Sequence, residues 1–369
     1  MDTSHDQVTS VPTGLRSRWL RWRNRVLASP RFQQAAAAFP LSRPIARRKA
    51  AGLFDLVAGF AYSQVLAATL DSGLLELLAA EPASTETFAS AARLSPEAAE
   101  RLLRAAAALD LAEQIAPGWW TLGQQGAALS TNLGAQAMIR HHRLLYADLA
   151  DPLALLRANR QDRTELAGFW RYAASASPAE AGPYTELMAA SQAMVAAQVV
   201  PAYRFDRHRA VLDIGGGSGT FARTVGAAHP GLRVGLLDLP AVIAPAPADG
   251  IARHGGDFLT DPLPPGYDLI SLVRVLHDHD DAPAQCLLGA IRTALAPGGT
   301  VLIAEPMAGT NGAEAMGDAY FGMYLWAMGS GRPRTAAEIG SMLAHAGFRG
   351  WHEVPTHQPL VARIIVASS

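Results

Sequence analysis

Cysteine is almost absent from this sequence, since its 369 residues contain only Cys286. A single thiol excludes an intramolecular disulfide and a thiolate metal cluster, and it suits a reducing cytoplasm. Net charge is nearly absent too: charged residues make up 17% of the chain, and the formal net charge is −1. The chain as a whole therefore lacks the signature of a polyanion-binding protein.

Long hydrophobic runs are also missing, although half of the residues are hydrophobic. Spanning a bilayer takes roughly 18–20 predominantly apolar residues. The longest candidate, residues 53–70, is interrupted by Asp55 and several polar side chains. The first seven residues do not show the pattern of a secretory signal. We therefore expect a globular, cytoplasmic protein.

Positive charge is concentrated in a basic N-terminal arm, residues 1–50. This arm contains ten Lys or Arg and two Asp, whereas the rest of the chain contains 21 basic and 30 acidic side chains. Its arginines alternate with Trp19, Leu20 and Trp22. Such a stretch can lie on an anionic membrane surface, or it can pack against the body of the protein or a partner subunit. The sequence leaves both alternatives open.

Apolar residues at three- and four-residue spacing predict a helical domain with a connector over residues 51–200. Ser84 and Ser95 each precede a predicted helix, and residues 115–123 predict a β-hairpin. This order is typical of a winged helix. The second helix carries only two basic residues, too few to read DNA. We therefore expect these helices to pack against each other or against a second subunit. A winged-helix regulator that senses a cofactor is the alternative.

Short apolar runs alternate with helical stretches in residues 201–369, which predicts an α/β domain with a Rossmann-like, doubly wound parallel sheet. The first run ends in DIGGGSG, whose glycines let the backbone approach a ligand closely. A loose dinucleotide fingerprint also fits this loop. However, Asp213 would repel a pyrophosphate and attract the cationic S-adenosylmethionine. We therefore select Asp213, Gly215 and Gly217 as candidates for binding S-adenosylmethionine.

Two further carboxylates follow predicted strands. Asp238, with Leu239 after it, ends the second strand, where a carboxylate can accept both hydroxyls of a ribose. This placement fits NAD and S-adenosylmethionine equally. Asp257 and Phe258 follow the third strand region. We expect Asp257 to accept from the adenine amino group and Phe258 to pack on the ring.

The motifs DIGGGSG, LLDLP, GDF, LVRVLHDHDD, LAPGG and AEPM make residues 50–366 resemble a known family. These are the bacterial and plant small-molecule O-methyltransferases with an N-terminal winged-helix dimerisation domain. The resemblance implies a homodimer, with S-adenosylmethionine as the cofactor. It implies that His277, in a Leu-His-Asp motif completed by Asp278, is the general base and that Glu305 assists it. It also implies a role in cofactor binding for Arg274, which stands where many relatives have lysine.

The residues themselves support a base at His277. It follows the fourth predicted strand, at the carboxyl edge where open α/β sheets bind ligands. A histidine can take the proton of an attacking hydroxyl near neutral pH.

Plant members have a second assisting glutamate, which Pro333 replaces here. The run 277–281 has enough imidazoles and carboxylates for a divalent metal, but successive side chains point different ways, so we expect no metal.

Other segments narrow the resemblance: WRNRVLASPRFQ, PLSRPIARRKAAGLFDLVAGFAYSQVL and MGDAYFGMYLWAMGSGRPRT are similar to carotenoid hydroxyl O-methyltransferases of purple phototrophic bacteria. This similarity implies an acyclic carotenoid of the hydroxyneurosporene or demethylspheroidene type as the acceptor, methylated at its tertiary 1-hydroxyl. It also implies the photosynthetic membrane as the surface that the basic arm would contact. Another apolar acceptor, such as a bacteriochlorophyll precursor or an aromatic natural product, is the alternative. The aromatic, methionine-rich residues 318–328 would line the acceptor pocket, or else form a packed core face or a subunit contact.

Overall fold

The computed structural model describes residues 13–158, 160, 164–169, 182–243 and 250–369, without the side chains of residues 182–186 and 188. The first twelve residues of the predicted basic arm and part of the predicted connector lie outside the described residues. The chain divides into two compact units, Met1–Gly123 and Gln124–Ser369. This division groups the helices between residues 124 and 199 with the sheet that follows them. The domain limits at residues 51 and 201 stay predictions.

The N-terminal unit contains helices and one small sheet. Antiparallel strands β1 (Ala83–Ser84), β2 (Ala112–Ala116) and β3 (Trp119–Leu122) are arranged in the order β1-β3-β2. The last two helices and the β2–β3 hairpin have the arrangement that the sequence predicts. The described helices are Leu15–Leu27, Pro30–Ala38, Arg43–Asp71, Leu74–Ala80, Thr85–Ala92 and Pro96–Ala108.

Local signals explain where the last two helices begin. The hydroxyls of Ser84 and Ser95 each accept a backbone N–H from the first helical turn, at 3.1 and 3.2 Å, which is the usual action of an N-cap serine. The buried Trp120 then ties the hairpin to the start of the first of these helices, because its indole N–H donates to Thr85 Oγ1 at 3.0 Å. The N-cap of the helix Thr85–Ala92 and the β2–β3 hairpin are thus held next to each other.

The first three helices expose most of their apolar side chains. Helices Leu15–Leu27 and Pro30–Ala38 bury no residue, and Arg43–Asp71 buries only Thr69 and Leu70. By length and composition alone, Arg43–Asp71 could cross a membrane: its most apolar window has a mean hydropathy of 1.5, and 17% of that window is buried. The helix is apolar enough although polar residues interrupt its apolar run, because the mean hydropathy of the window depends little on a few polar residues.

The C-terminal unit contains a seven-stranded sheet in the order β6-β5-β4-β7-β8-β10-β9. The first five strands in this order are parallel, and β10 runs antiparallel to both β8 and β9. The sheet is therefore mixed at the edge formed by the C-terminal hairpin. The strands are β4 (Ala210–Ile214), β5 (Arg233–Asp238), β6 (Ala252–Gly255), β7 (Leu269–Val273), β8 (Thr300–Glu305), β9 (Arg349–Val354) and β10 (Arg363–Ser368).

Both faces of this sheet are covered. Every residue of β4, β7 and β8 is buried. Successive residues of β4 alternate between two hydrophobic cores, with Leu212 in one and Val211 in the other. Such continuous burial is typical of parallel strands with helices on both sides. The longer described helices of this unit are Gln124–Ser130, Leu133–Asp148, Gly182–Val199, Thr220–Ala228, Asp281–Ala294, Gly322–Met328 and Ala336–His345.

The strand order places a crevice beside β4. Chain order reverses there, because β5 lies on one side of β4 and β7 on the other. Open α/β sheets bind ligands at the carboxyl ends of strands at such a reversal. The carboxyl ends of β4, β5, β7 and β8 carry the glycine loop, Asp238, His277 and Glu305, respectively.

Candidate active site

The glycine loop connects β4 to the helix Thr220–Ala228. Gly215, Gly217 and Gly219 have φ angles of +67°, +59° and +86°, in the left-handed region that favours glycine. A Cβ at Gly216 would overlap the carboxylate of Asp213. The four glycines of DIGGGSG are therefore required by the turn itself. Because glycine has no side chain, the backbone of Gly215, Gly216 and Gly217 lines the cavity directly.

Asp213 lies beneath this loop and is not among the residues that line the cavity. Its Oδ1 accepts from the hydroxyl of Ser271 at 2.9 Å, whereas Oδ2 has no hydrogen-bond partner among the described residues. Burial raises the pKa of this carboxyl to about 7, and the negative charge of Asp238 adds to the effect. A cationic ligand above the loop would stabilise the ionised form. The orphaned oxygen therefore fits a positively charged donor better than a pyrophosphate.

Asp238 faces the cavity and completes the loop. Its Oδ2 accepts the backbone N–H of Gly217 at 2.8 Å, and its Oδ1 accepts that of Leu239 at 2.7 Å. Burial raises the pKa of Asp238, and the two N–H donors oppose this shift. Each carboxylate oxygen can accept more than one hydrogen bond. Asp238 can thus hold the loop and still accept from the two hydroxyls of a ribose.

The other predicted cofactor residues differ in placement. Phe258 and Leu239 line the cavity, as does Arg274, whose guanidinium donates to Ser191 Oγ at 2.7 Å. Asp257 does not line the cavity: its Oδ1 accepts the N–H of Leu259 at 2.9 Å and so stabilises its own turn. The structure thus brings Phe258, but not Asp257, to the cavity surface.

His277 lies in a 3-10 turn, Leu276–Asp278, which begins three residues after the end of β7, and its side chain is buried. Its Nε2 lies 3.1 Å from Asp278 Oδ1, and its Nδ1 lies 3.8 Å from Glu305 Oε2. The same Glu305 oxygen accepts the backbone N–H of His277 at 3.1 Å. The structure therefore brings together all three residues that the sequence selects for catalysis.

The pKa of His277 is set by opposing effects. Burial lowers it, but the charges of Asp278 and Glu305 raise it more strongly, so that the pKa is higher than that of an ordinary histidine. Glu305 is itself fully buried, and burial raises its pKa while His277 lowers it. The ring can consequently take up a proton and be stabilised as the imidazolium by two adjacent carboxylates.

One cavity of about 410 Å³ contains both the glycine loop and His277. The loop, Asp238 and Phe258 line the part of it that the sequence predicts to bind the methyl donor, here named the donor half. The part beside His277, predicted to bind the methyl acceptor and here named the acceptor half or acceptor wall, is lined by largely apolar side chains. These are Met138, Phe321, Tyr324, Leu325 and Met328.

Two histidine–tyrosine pairs lie in and behind the acceptor wall. His141 Nε2 lies 2.9 Å from the hydroxyl of Tyr324, and His142 Nε2 lies 2.6 Å from that of Tyr320. Burial lowers the pKa of His141 to about 4, and the proximity of His142 adds to the effect. Burial also lowers the pKa of His142 and raises that of Tyr320 to about 12. His141, His142 and Tyr320 are therefore neutral near pH 7.

Sequence reasoning did not select the two histidines or Met138. They lie on the helix Leu133–Asp148, more than 130 residues before His277, and no local motif marks them. The aromatic segment 318–328 was singled out, and it supplies Phe321 and Tyr324 to the wall. Among the described residues, no three histidine, cysteine or acidic side chains converge as a candidate metal site.

Comparisons with known proteins agree with this arrangement. An O-methyltransferase domain model matches residues 146–349, and an O-methyltransferase dimerisation domain model matches residues 54–132. The chain is 40% identical over 355 residues to the demethylspheroidene O-methyltransferase of Cereibacter sphaeroides, with 93% of each chain covered. It is 39% identical over 349 residues to the protein of that name from Rhodobacter capsulatus, covering 93% of this chain and 88% of the relative.

Among solved structures, the chain is similar to the SAH-bound form of CalO1, a methyltransferase of calicheamicin biosynthesis. The TM-score is 0.73 and the identity is 26%, with 87% of this chain and 98% of that chain covered. The mixed sheet and the helical N-terminal unit thus have a close counterpart in a methyltransferase with SAH bound.

Proposed function

Because this chain belongs to the O-methyltransferase family in which a dimerisation domain precedes the catalytic domain, we propose that it methylates the tertiary 1-hydroxyl of an acyclic carotenoid. The fold class, the methyltransferase activity and the donor S-adenosylmethionine, all predicted from the motifs, are confirmed. The acceptor proposal is supported by two relatives named demethylspheroidene O-methyltransferase. The observation that carries it is the largely apolar wall beside His277.

On the donor side, S-adenosylmethionine supplies an activated methyl group on a positively charged sulfur. We assign the ribose hydroxyls to Asp238, whose carboxylate lines the cavity at the loop. Asp213, beneath the loop, compensates the positive charge of the ligand through its unpartnered oxygen. Phe258 covers the purine ring and Arg274 closes the neighbouring wall. Gly215 and Gly217 leave room for the ligand, and Leu239 contacts it from the cavity wall.

On the acceptor side, His277 takes the hydroxyl proton at Nε2 as the oxygen attacks. With the donor bound, the carbon–oxygen bond would form as the carbon–sulfur bond breaks, which would leave the sulfur neutral. Asp278 is the partly exposed neighbour of Nε2 and can move aside for the hydroxyl, whereas the fully buried Glu305 remains beside Nδ1. Holding the two reactants in line increases the reaction rate more than the base does. The rate gain from well-oriented groups is larger than the gain from general base catalysis.

An acceptor panel tests the proposal. The purified enzyme is incubated with methyl-labelled S-adenosylmethionine and detergent-dispersed acceptors: a 1-hydroxy acyclic carotenoid, a simple phenol and a bacteriochlorophyll precursor. We expect label only in the carotenoid, at its 1-oxygen by mass spectrometry. Label in the phenol or the chlorophyll precursor, with none in the carotenoid, contradicts the acceptor assignment while leaving the methyltransferase activity intact.

The apolar residues exposed on Arg43–Asp71 fit a homodimer. Phe54, Leu56, Val57 and Phe60 are all exposed, and they fall within the stretch that matches the dimerisation domain. We infer that a second copy of the chain covers them, since a large exposed apolar patch marks an interaction site. Sedimentation at micromolar concentration is expected to give a dimer, and Phe54→Ser with Phe60→Ser is expected to give a monomer.

The helix Leu15–Leu27 has the features of a segment that binds an anionic membrane surface. Trp19 and Trp22 are 54% and 59% exposed, and the helix buries no side chain. It carries five arginines, and residues 13–50 contain no acidic side chain. Such a helix binds anionic lipid, each basic residue contributing about 1 kcal/mol. We infer that it docks the enzyme on the anionic membrane in which the carotenoid dissolves.

Vesicle flotation tests this docking. We expect the enzyme to float with vesicles that contain phosphatidylglycerol and to stay behind with pure phosphatidylcholine. Trp19→Ser with Trp22→Ser is expected to abolish flotation while the dimer and the methylation of detergent-dispersed carotenoid persist. Equal flotation of this variant and the wild type contradicts the assignment of the helix.

A further inference from the structure

We infer that Arg334 is a positioning residue for His277. Arg334 is 0% exposed and lies in the segment 330–334, after the helix Gly322–Met328. Its Nη1 donates to the carbonyl of Leu276 at 2.8 Å, and its Nη2 donates to the carbonyl of His279 at 2.7 Å. One guanidinium therefore binds the backbone on both sides of the candidate base. The inference rests on the proposed role of His277.

Neighbouring groups complete the contact. The backbone N–H of Arg332 donates to the carbonyl of His277 at 2.9 Å, and Ser330 Oγ donates to that of Asp278 at 2.8 Å. Four successive carbonyls, from residue 276 to residue 279, thus accept from the segment 330–334. Gly331 permits the close approach: its φ is +80°, and a Cβ there would overlap the carbonyl oxygen of His277.

The turn needs this external support. It is a single 3-10 turn, whose own backbone bonds are Asp278 N to Val275 O at 3.2 Å and His279 N to Leu276 O at 3.3 Å. These are long for N–H···O bonds. A planar guanidinium presents its donors in a rigid fork, which can hold two carbonyls at a fixed spacing. Arg334 therefore fixes where the imidazole lies between its two carboxylate neighbours.

The ion pair of Arg334 does not account for its burial. Its charged partner Asp281 is 61% exposed and is shared with Arg332, whose guanidinium is also partly exposed. Pairs with exposed carboxylates contribute little, whereas a buried guanidinium is costly unless all its donors are bonded. Asp281 Oδ1 accepts from Nε and Nη2 at 3.0 and 2.8 Å, and the carbonyls of Leu276 and His279 accept from Nη1 and Nη2. Water can take the place of the exposed Asp281, whereas the buried carbonyls are supplied by the turn alone. Replacing Asp281 should therefore matter less to turnover than replacing Arg334.

Mutagenesis separates positioning from general stability. Arg334→Met is expected to lower kcat on the order of 10²-fold, as expected when a catalytic group is displaced by about 1 Å. Arg334→Lys, which keeps the charge but loses the fork, is expected to recover part of this loss. Arg332→Met removes two ion pairs but keeps the backbone contact to His277, and its loss is expected to be several times smaller. Turnover is measured per S-adenosylmethionine-binding site, well below the unfolding temperature.

A double-mutant cycle gives the decisive readout. If Arg334 acts through His277, adding Arg334→Met to His277→Ala lowers kcat no further, because residues that act as a unit are non-additive. A merely structural role would lower kcat by the same factor in both backgrounds, and that result overturns the inference. Should Arg334→Met fail to fold, the same cycle with Arg334→Lys decides. If His277→Ala alone leaves kcat unchanged, the proposed base fails, which is a separate outcome.

Discussion

His277 lies stacked against Phe321, with ring centroids 5.8 Å apart and planes inclined by 30°. Phe321 is the last residue of a π-helical turn, Met316–Phe321, and lines the acceptor half of the cavity. π-Helical turns are frequent at functional sites. This contact joins the candidate base to the wall that the acceptor would touch.

Replacing Phe321 should therefore affect both the binding of the acceptor and the position of the His277 imidazole. Phe321→Leu is expected to raise the KM for the carotenoid and to lower kcat, because the ring that positions the imidazole is lost, while affinity for S-adenosylmethionine changes little. Steady-state kinetics with each substrate varied separates these effects. Phe205→Leu, in a fully buried core position of the same unit, serves as the control. An equal rise in KM in that variant would show that Phe321 acts only through stability.

The pH dependence of turnover should reflect the two carboxylates beside His277. The base must be unprotonated to act, and the charges of Asp278 and Glu305 raise its pKa. The acid limb of kcat is therefore expected above the pKa of an ordinary histidine. Glu305→Gln removes one of these charges and should shift the limb to lower pH. A limb that stays in place, or moves to higher pH, contradicts the assignment.

Asp238 and Asp257 give contrasting expectations for donor binding. Asp238→Ala should weaken binding of S-adenosylmethionine about 10- to 100-fold, the usual loss for a hydrogen bond to a charged group. Asp257→Ala should weaken binding of S-adenosylmethionine less, since this carboxylate stabilises its own turn instead of lining the cavity. Titration calorimetry of both variants checks the contrast. A larger loss for Asp257 would support the sequence-based prediction that Asp257 contacts the adenine.

The acceptor wall should remain uncharged over the working pH range. Burial lowers the pKa of His141 to about 4, so the residue stays neutral well above that pH. The KM for an apolar acceptor is therefore expected to be constant between about pH 6 and 8. His141→Lys would introduce a cation behind Tyr324 and is expected to raise this KM, whereas His141→Gln is expected to change it less. Equal KM values for the two variants would contradict the argument.

The sequence revealed those parts of the site that depend on local geometry. The glycine loop, the carboxylate after β5 and the histidine after β7 each follow from a strand end and a short motif, and Ser84 and Ser95 mark helix starts in the same way. What it could not reveal depends on long-range packing. Arg334 contacts a turn 55 to 58 residues earlier, and the burial of Asp213 beneath its own loop is set by neighbouring strands.

The most direct test of the account compares turnover and donor binding in His277→Ala. The account predicts that kcat falls about 10²- to 10⁴-fold, the usual contribution of a general base, while calorimetry gives nearly the wild-type dissociation constant for S-adenosylmethionine. Wild-type turnover in this variant would contradict the central claim that His277 accepts the proton of the attacking hydroxyl.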